Sequence, residues 1–340
     1  CRRHWSRPKG YVTHCRHFLG PLPVVDRLNS GKVRYGYILS QPSDGVNPAA
    51  RAFPCALESA GPKDYTARTM QTLPSTLIDR FARRVDYVRL SVTDRCDFRC
   101  VYCMAEKMTF VPKPQVLTLE EHFQVAQAFT ELGVSKIRLT GGEPLIRTDI
   151  LTLVKRLGRL QGLDQLVLTT NGSQLQRMAQ QLRDYGVRRI NISLDSLQPR
   201  RFRQLTRHGN LDQVLAGIET AIACGFERIK INAVILKGRN EDEVLDLVDY
   251  AYRRGIDIAF IEEMPLGHIV EHDRQLSFCS SAELRAVIGR RYSMHALGDP
   301  AGSDGPARYY SLPGSTTRLG FISPHSENFC HLCNRVRVTA

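Results

Sequence analysis

Between Tyr87 and Ile261 the chain switches repeatedly between two rhythms of apolar residues. Short β-rich runs at Tyr87–Val92, Lys136–Thr140, Gln165–Thr170, Arg189–Leu194, Glu227–Ile235 and Asp257–Ile261 alternate with stretches whose apolar residues recur every three or four positions. Those stretches predict helices over Leu119–Leu132, Ile150–Leu160, Leu175–Tyr185, Leu211–Cys224 and Glu241–Arg254. Gly133, Gly186, Gly225 and Gly255 stand where a chain leaves a helix through a left-handed turn. Six strand–helix repeats predict a parallel sheet.

The strands themselves are unusual for such a sheet. Parallel strands covered on both faces read as continuous apolar runs, and the interior of a closed eight-stranded barrel is filled by Val, Ile and Leu. Here Val88, Leu90 and Val92 alternate with Arg89 and Ser91, and Ile137 and Leu139 with Arg138 and Thr140. Ile190, Ile192 and Leu194 alternate with Asn191, Ser193 and Asp195, and Ile229 and Ile231 with Lys230 and Asn232. Strand side chains point to opposite faces in turn. One face therefore takes the helices, and the other collects Arg89, Arg138, Asn191, Ser193, Lys230 and Asn232. A flat sheet with one solvated face is the alternative, but right-handed crossovers that all pack on one side favour a sheet curled around something. The expected fold is α/β: a partial (β/α)6 TIM-type barrel, open on one side, whose Arg and Lys residues face an anionic guest.

Composition narrows the setting. A chain of 340 residues with 42% hydrophobic content can bury one large core or two smaller ones. No apolar run approaches the roughly 18–20 residues that span a bilayer, so no membrane association is expected. Five of the ten cysteines fall into two tight clusters, and Cys1, Cys15, Cys55, Cys224 and Cys279 are scattered without a disulfide framework. A reducing compartment fits, with Cys224 and Cys279 read as small buried hydrophobes. The net charge of +13 is uneven, since residues 1–69 hold 11 Lys/Arg against 4 Asp/Glu. The remainder is only mildly basic and lacks clustered basic faces with aromatic platforms, so nucleic acid is not an expected partner.

Residues 1–69 are rich in Arg, Pro, Gly and Ser and show no sustained helical or strand period. They read as a non-native or disordered leader, with a native start near Met70, or as an Arg-rich targeting segment. Cytoplasm follows from the first reading and the mitochondrial matrix from the second. The expected division is this leader, a barrel over 70–275 and a C-terminal region over 276–340, with a Gly/Asp/Pro-rich loop at Gly298 to Gly305.

Three segments carry candidate chemistry. Cys96, Cys100 and Cys103 follow the first strand at spacings of four and three. Three thiolates in one loop can hold three corners of a cuboidal iron–sulfur cluster and leave the fourth iron without a protein ligand, whereas an electron-transfer cluster is closed by a fourth cysteine. Three ordinary thiols, or a zinc site completed by a distant histidine, are the alternatives; the nearest histidine, His122, falls in a predicted helix. Thr140-Gly141-Gly142-Glu143-Pro144-Leu145 follows the second strand, with two glycines that permit close approach of a ligand to the backbone, a carboxylate able to accept from an ammonium group, and a proline suited to a first helical turn. Cys330 and Cys333 form a Cys-x2-Cys pair, which alone reads as zinc, redox or coincidence.

The run Tyr87-Val88-Arg89-Leu90-Ser91-Val92-Thr93-Asp94-Arg95-Cys96, with the cysteine loop and the Gly-Gly-Glu turn one strand later, resembles the radical S-adenosylmethionine enzymes. Within them it is similar to the GTP 3',8-cyclase family, which begins molybdenum cofactor biosynthesis. The resemblance covers about 260 residues, from near Leu77 to Ala340. It implies a [4Fe-4S] cluster on Cys96, Cys100 and Cys103 that cleaves S-adenosylmethionine to a 5'-deoxyadenosyl radical, hydrogen abstraction from the GTP ribose, and attack on carbon 8 of guanine. It implies S-adenosylmethionine contacts at Tyr102, Gly142, Glu143, Ser193 and Met264, and GTP contacts at Arg89, Arg138, Thr169, Lys230, Arg335, Val336 and Arg337. No catalytic residue beyond the cluster ligands is implied. Cys330 and Cys333 match two ligands of a second [4Fe-4S] cluster; the third is expected about a dozen residues past Cys333, beyond Ala340. The implied partners are GTP, a downstream cyclic pyranopterin monophosphate synthase and a flavodoxin- or ferredoxin-type reductant, and a homodimer is compatible. A radical enzyme of the same architecture acting on a peptide, and a non-enzymatic zinc module, are the rival readings.

Overall fold

The computed structural model describes residues 76–79, 81–264, 273–298, 306–327, 329 and 333–339, together with the backbone of three short strands between residues 12 and 38. These three are β1 (Val12–Thr13), β2 (Leu22–Arg27) and β3 (Val33–Ile38). β2 and β3 pair antiparallel, with Leu22 opposite Ile38. The stretch expected to show no sustained strand period therefore carries short strands at these positions, where Val33, Tyr35 and Tyr37 supply β-prone residues at alternate places.

The predicted repeat forms nearly residue for residue. β4 (Tyr87–Ser91), α1 (Leu119–Glu131), β5 (Lys136–Thr140), α2 (Ile150–Leu157), β6 (Gln165–Thr170), α3 (Leu175–Asp184) and β7 (Val187–Ser193) follow in order. α4 (Pro199–Thr206) is an addition that the apolar rhythm did not announce, and after it come α5 (Leu211–Ala223), β8 (Arg228–Val234), α6 (Val244–Arg254) and β9 (Asp257–Ile261). The C-terminal part adds α7 (Arg274–Ser277), α8 (Ser281–Gly289), β10 (His295–Ala296), β11 (Arg308–Ser311), β12 (Arg318–Ile322) and β13 (Arg335–Val338). Local chemistry fixes the helix starts: Thr118 and Glu121 form a capping box on α1, Ser280 and Glu283 do the same on α8, and Asn210 caps α5. Gly133, Gly186, Gly225 and Gly255 have positive φ, as the turn signals predicted.

The strands form one sheet in the order β1-β13-β4-β5-β6-β7-β8-β9-β12-β11-β10. β13 runs parallel to β4, and β12 runs parallel to β9. The six predicted strands are thus extended on both sides by parallel strands from the C-terminal part. Val88, Leu90, Ile137, Leu139, Ile190, Ile192, Ile231 and Phe260 lie on the helix-facing side in one continuous core with Leu153, Leu157, Leu182, Val214, Ile218 and Leu247 of the helices. Each such buried side chain contributes about 1.5–3 kcal/mol. The polar positions occupy the other face, as the alternation required. Among the described residues no helix is long and apolar enough to cross a membrane.

Candidate active site in the half-barrel

The cysteine loop begins where β4 ends, and backbone bonds fix it from two sides. On one side Gly142 N donates to Thr93 O (2.7 Å) and Glu143 N to Arg95 O (2.8 Å). On the other, Arg99 N donates to Thr206 O and Val101 N to Leu205 O, both at 2.9 Å, which ties the loop to the end of α4. Arg207 donates to the carbonyls of Arg99 and Met104, and Phe98 meets Phe202 edge-on.

The Gly-Gly turn has a different reason from the one expected. A Cβ on Gly142 would lie 2.1 Å from Arg95 O, and one on Gly141 would lie 2.4 Å from Thr93 O. The glycines are required by the backbone of the cysteine loop. Glu143 is fully buried, and its carboxylate accepts from Leu145 N (3.0 Å), Thr170 Oγ1 (2.7 Å) and Asn171 N (2.6 Å). It braces the ends of β5 and β6, with little acceptor capacity left for an ammonium group. Pro144–Ile146 is a single 3-10 turn, and the helix α2 starts only at Ile150.

The surroundings of the three thiols fit an iron–sulfur cluster. Cys96 and Cys100 are half-buried and Cys103 is exposed. Phe98 N donates to Cys96 Sγ (3.4 Å), and Asn171 Nδ2 lies 3.8 Å from the same sulfur. Burial pushes the Cys96 thiol up to about 12 and raises those of Cys100 and Cys103. Thiolates here therefore need a bound cation to offset them. Among the described residues no group of three or more His, Cys, Asp or Glu side chains is arranged to hold a single metal ion. Cys330 lies outside the described residues; Cys333 is half-buried with its Sγ 3.9 Å from Arg335 O. His122 lies in a helix as expected, buried in α1 with its ring nitrogens 2.7 Å from Thr118 O and 3.0 Å from Ser91 O.

Three carboxylates surround this end of the barrel. Asp97 accepts from Asn171 Nδ2 and Ser173 Oγ, both at 2.6 Å. Asp195 accepts from Tyr102 Oη (2.6 Å) and Val234 N (2.8 Å). Burial raises the carboxyl of Glu143 to about 7 and that of Asp195 to about 6. Burial favours the neutral forms of these groups, so the carboxyls and thiols at the C-terminal ends of the strands are ones that a bound cation would hold ionised. Ser193, at the end of β7, and Met264, just after β9 and about one-third exposed, open onto the same end.

Deeper in the lumen the groups are cations. Arg89 and Arg138 are register neighbours on β4 and β5, and Arg337 stands opposite Arg89 on β13. Arg138 donates through Nε to Tyr87 Oη and through Nη1 to Thr169 Oγ1 (3.1 Å). Lys136, Arg138 and Arg335 all lie within 6.0 Å of the Tyr87 ring centroid. Burial, then the charges of Arg337, Arg335 and Arg138, bring the Arg89 guanidinium down to about 9, and its Nε is buried without a partner. A guanidinium stays charged at neutral pH, so this crowding calls for an anion. Lys230 donates to Tyr309 Oη (2.8 Å), and Asn232 Oδ1 is a second buried atom without a partner. Below them Asp257 accepts from Arg318 (2.8 Å) and Arg228 (3.3 Å) and closes the floor.

One expected nucleotide contact is turned away. Val336 sits between Arg335 and Arg337 on β13, so its side chain faces the helix side, where it is buried in the core. Only its backbone is available to a ligand. Residues that the apolar pattern left unmarked are Asp97, Asn171, Ser173 and Tyr309, because they stand in loops or outside the six repeats. Asp195 was marked as a polar alternate but given no role.

Residues 90–251 match the Radical SAM superfamily and residues 256–340 match Molybdenum Cofactor Synthesis C. A GTP 3',8-cyclase of Ectopseudomonas mendocina is 60% identical over 264 residues, covering 78% of this chain and 79% of that protein. One from Pseudomonas entomophila is 59% identical over 271 residues, covering 79% and 80%. Among solved structures, Streptococcus suis SuiB bound to S-adenosylmethionine superposes with a TM-score of 0.50 at 16% identity, covering 60% of this chain and 46% of that one; this likeness concerns the fold alone. Together with the three-cysteine loop at the mouth of a cationic half-barrel, these relationships place the chain in the GTP 3',8-cyclase family of radical S-adenosylmethionine enzymes.

Proposed function

We propose that the chain converts GTP to (8S)-3',8-cyclo-7,8-dihydroguanosine 5'-triphosphate, the opening step of molybdenum cofactor synthesis. The observation that carries this reading is the pairing of two sets of groups in one lumen: thiols and carboxyls at the strand ends, and crowded guanidinium groups deeper in. Cys96, Cys100 and Cys103 would hold the first [4Fe-4S] cluster. When bound, that cluster supplies the reductive cleavage of S-adenosylmethionine that starts the radical reaction.

The chain's own residues bind and orient. Arg89, Arg138, Lys230, Arg335 and Arg337 compensate the triphosphate, and Thr169 holds Arg138 in place. Tyr102, Ser193, Met264 and the Gly142–Glu143 backbone line the S-adenosylmethionine side, while Asp195 fixes the Tyr102 hydroxyl. Closing both ligands in one lumen aligns them and keeps water away. Cys330 and Cys333 belong to the second cluster, and the Val336 backbone to the nucleotide wall. Residues 70–275 form the barrel and 276–340 complete it. The product passes to a cyclic pyranopterin monophosphate synthase, the reductant is a flavodoxin- or ferredoxin-type protein, and the site of action is the cytoplasm.

Anaerobic reconstitution tests the reading. Iron, sulfide, a brown chromophore and GTP-dependent formation of 5'-deoxyadenosine are expected, and a Cys100→Ala variant should form none. Stoichiometric zinc without a chromophore, or turnover of a peptide in place of GTP, would overturn it.

A further inference from the structure

The proposed reaction consumes an electron at the first cluster, so the surface beside the cysteine loop must admit a donor. That surface is built from two segments. The stretch after Cys103 is exposed at Glu106–Thr109 and at Val111–Gln115. Arg95 and Arg99 lie over the Phe110 ring, 5.3 and 5.0 Å from its centroid. Val111 is anchored at both polar ends, its N donating to Asp94 and its carbonyl accepting from Arg95. Arg207 joins this stretch to α4 through the carbonyls of Arg99 and Met104, and α4 exposes Arg200 and Arg203.

The charge of this rim is one-sided. Residues 94–116 and 199–208 together hold eight Lys/Arg against three Asp/Glu, and one of the eight, Arg201, is paired with Asp242 and Glu243. Of the three acids, Asp97 is turned inward onto Asn171 and Ser173. Met108 and Val111 are apolar side chains exposed at 45% and 36% in the same segment as Lys107 and Lys113. None of these cations belongs to the lumen set that faces the nucleotide.

We propose that this rim, centred on Lys107, Met108, Val111 and Lys113 with Arg200 and Arg203 of α4, docks a small acidic one-electron carrier protein. Basic residues steer the acidic partner, and the two apolar side chains give a short-range anchor. One electron leaves the carrier and enters the oxidised cluster; no bond is made or broken in the transfer. The inference rests on the cluster reading above.

The test uses the reconstituted holoenzyme and a flavodoxin as the acidic carrier. The dissociation constant is measured at low and high salt for the wild-type chain and for a Lys107→Glu/Lys113→Glu/Arg203→Glu variant. Binding should weaken by about tenfold or more at low salt and lose most of its salt dependence, because rim charges act through long-range attraction. 5'-Deoxyadenosine formation driven by dithionite, which needs no docking, should stay at the wild-type rate. An unchanged dissociation constant overturns the proposal, as does equal binding of an RNA oligonucleotide that the same changes abolish. If the triple variant loses its iron, the neutral Lys107→Gln/Lys113→Gln pair carries the same measurement. A wild-type chain inert with dithionite defeats the cluster reading instead, so the two failures are told apart.

Discussion

Gly142→Ala isolates the clasp between the Gly-Gly turn and the cysteine loop. The added Cβ would sit 2.1 Å from Arg95 O and 2.7 Å from Asp94 O, and both obstacles are backbone that no rotamer change can move. Ordinary contact begins near 3.4 Å, so the turn and the loop stem must separate by about 1.3 Å. That shift lengthens the 2.7 and 2.8 Å bonds from Gly142 N and Glu143 N to about 4 Å, outside hydrogen-bonding range. Two bonds at roughly 1 kcal/mol each and overpacking of about 1–3 kcal/mol sum to a loss of about 3–5 kcal/mol. For a domain of this size that corresponds to a fall in Tm of roughly 6–20 °C. The first cluster should fail to assemble, removing about four irons per chain. Calorimetry and iron analysis after anaerobic reconstitution read both effects. Gly238→Ala is the control: φ there is +71° and nothing lies within 4 Å, so only a backbone cost of about 1–2 kcal/mol is expected, with full iron. If Gly142→Ala matches Gly238→Ala in Tm and iron content, the clasp does not hold the loop.

Asp257→Asn leaves Arg228 and Arg318 without their shared counter-charge on the lumen floor, and should cost about 3 kcal/mol in urea denaturation; an unchanged midpoint contradicts the floor. Tyr309→Phe keeps the ring 4.6 Å from the Arg318 guanidinium but removes the acceptor of Lys230. GTP affinity measured by equilibrium binding should fall about fivefold, equivalent to one hydrogen bond near 1 kcal/mol, with Tm nearly constant. The hydrogen bond from Lys237 and the Ser280 cap hold the Glu283 carboxyl at about 2, below its ordinary 4.5. Its stabilisation is present above pH 4.5 and disappears as pH falls toward about 2. With both partners of the ion pair 46% exposed, solvent screening keeps the effect small, and Glu283→Gln should flatten the acid-side slope of Tm.

The barrel was legible because two local periodicities carried it. Alternation at Val88–Val92 and Ile190–Leu194 announced both the strands and the polarity of the lumen, and each was confirmed by register. α4 was not legible, because its sequence Pro-Arg-Arg-Phe-Arg-Gln-Leu-Thr offers only Phe202 and Leu205 as apolar anchors and reads as a charged loop. β12 and β13 were missed for another reason: nothing local in Arg318–Ile322 or Arg335–Val338 says which sheet edge they will join. The site divided likewise. Cysteine spacing and lumen cations could be read directly, whereas the demand on Gly141 and Gly142 comes from a loop some fifty residues earlier in the chain. Glu143 was read as a ligand contact because its burial by β6 is a tertiary fact.

The two strands that flank the six-strand unit set the order in which the molecule can be finished. During synthesis the segment through β9 emerges first, with the free rims of β4 and β9 bare to solvent, a state prone to wrong pairing. β12 covers one rim and β13 the other. β13 is also what delivers Arg335 and Arg337 beside Arg89. A nascent chain can therefore present its cysteines well before it owns a complete wall for the nucleotide, and sealing of the sheet and competence to hold a polyphosphate arrive in the same late event.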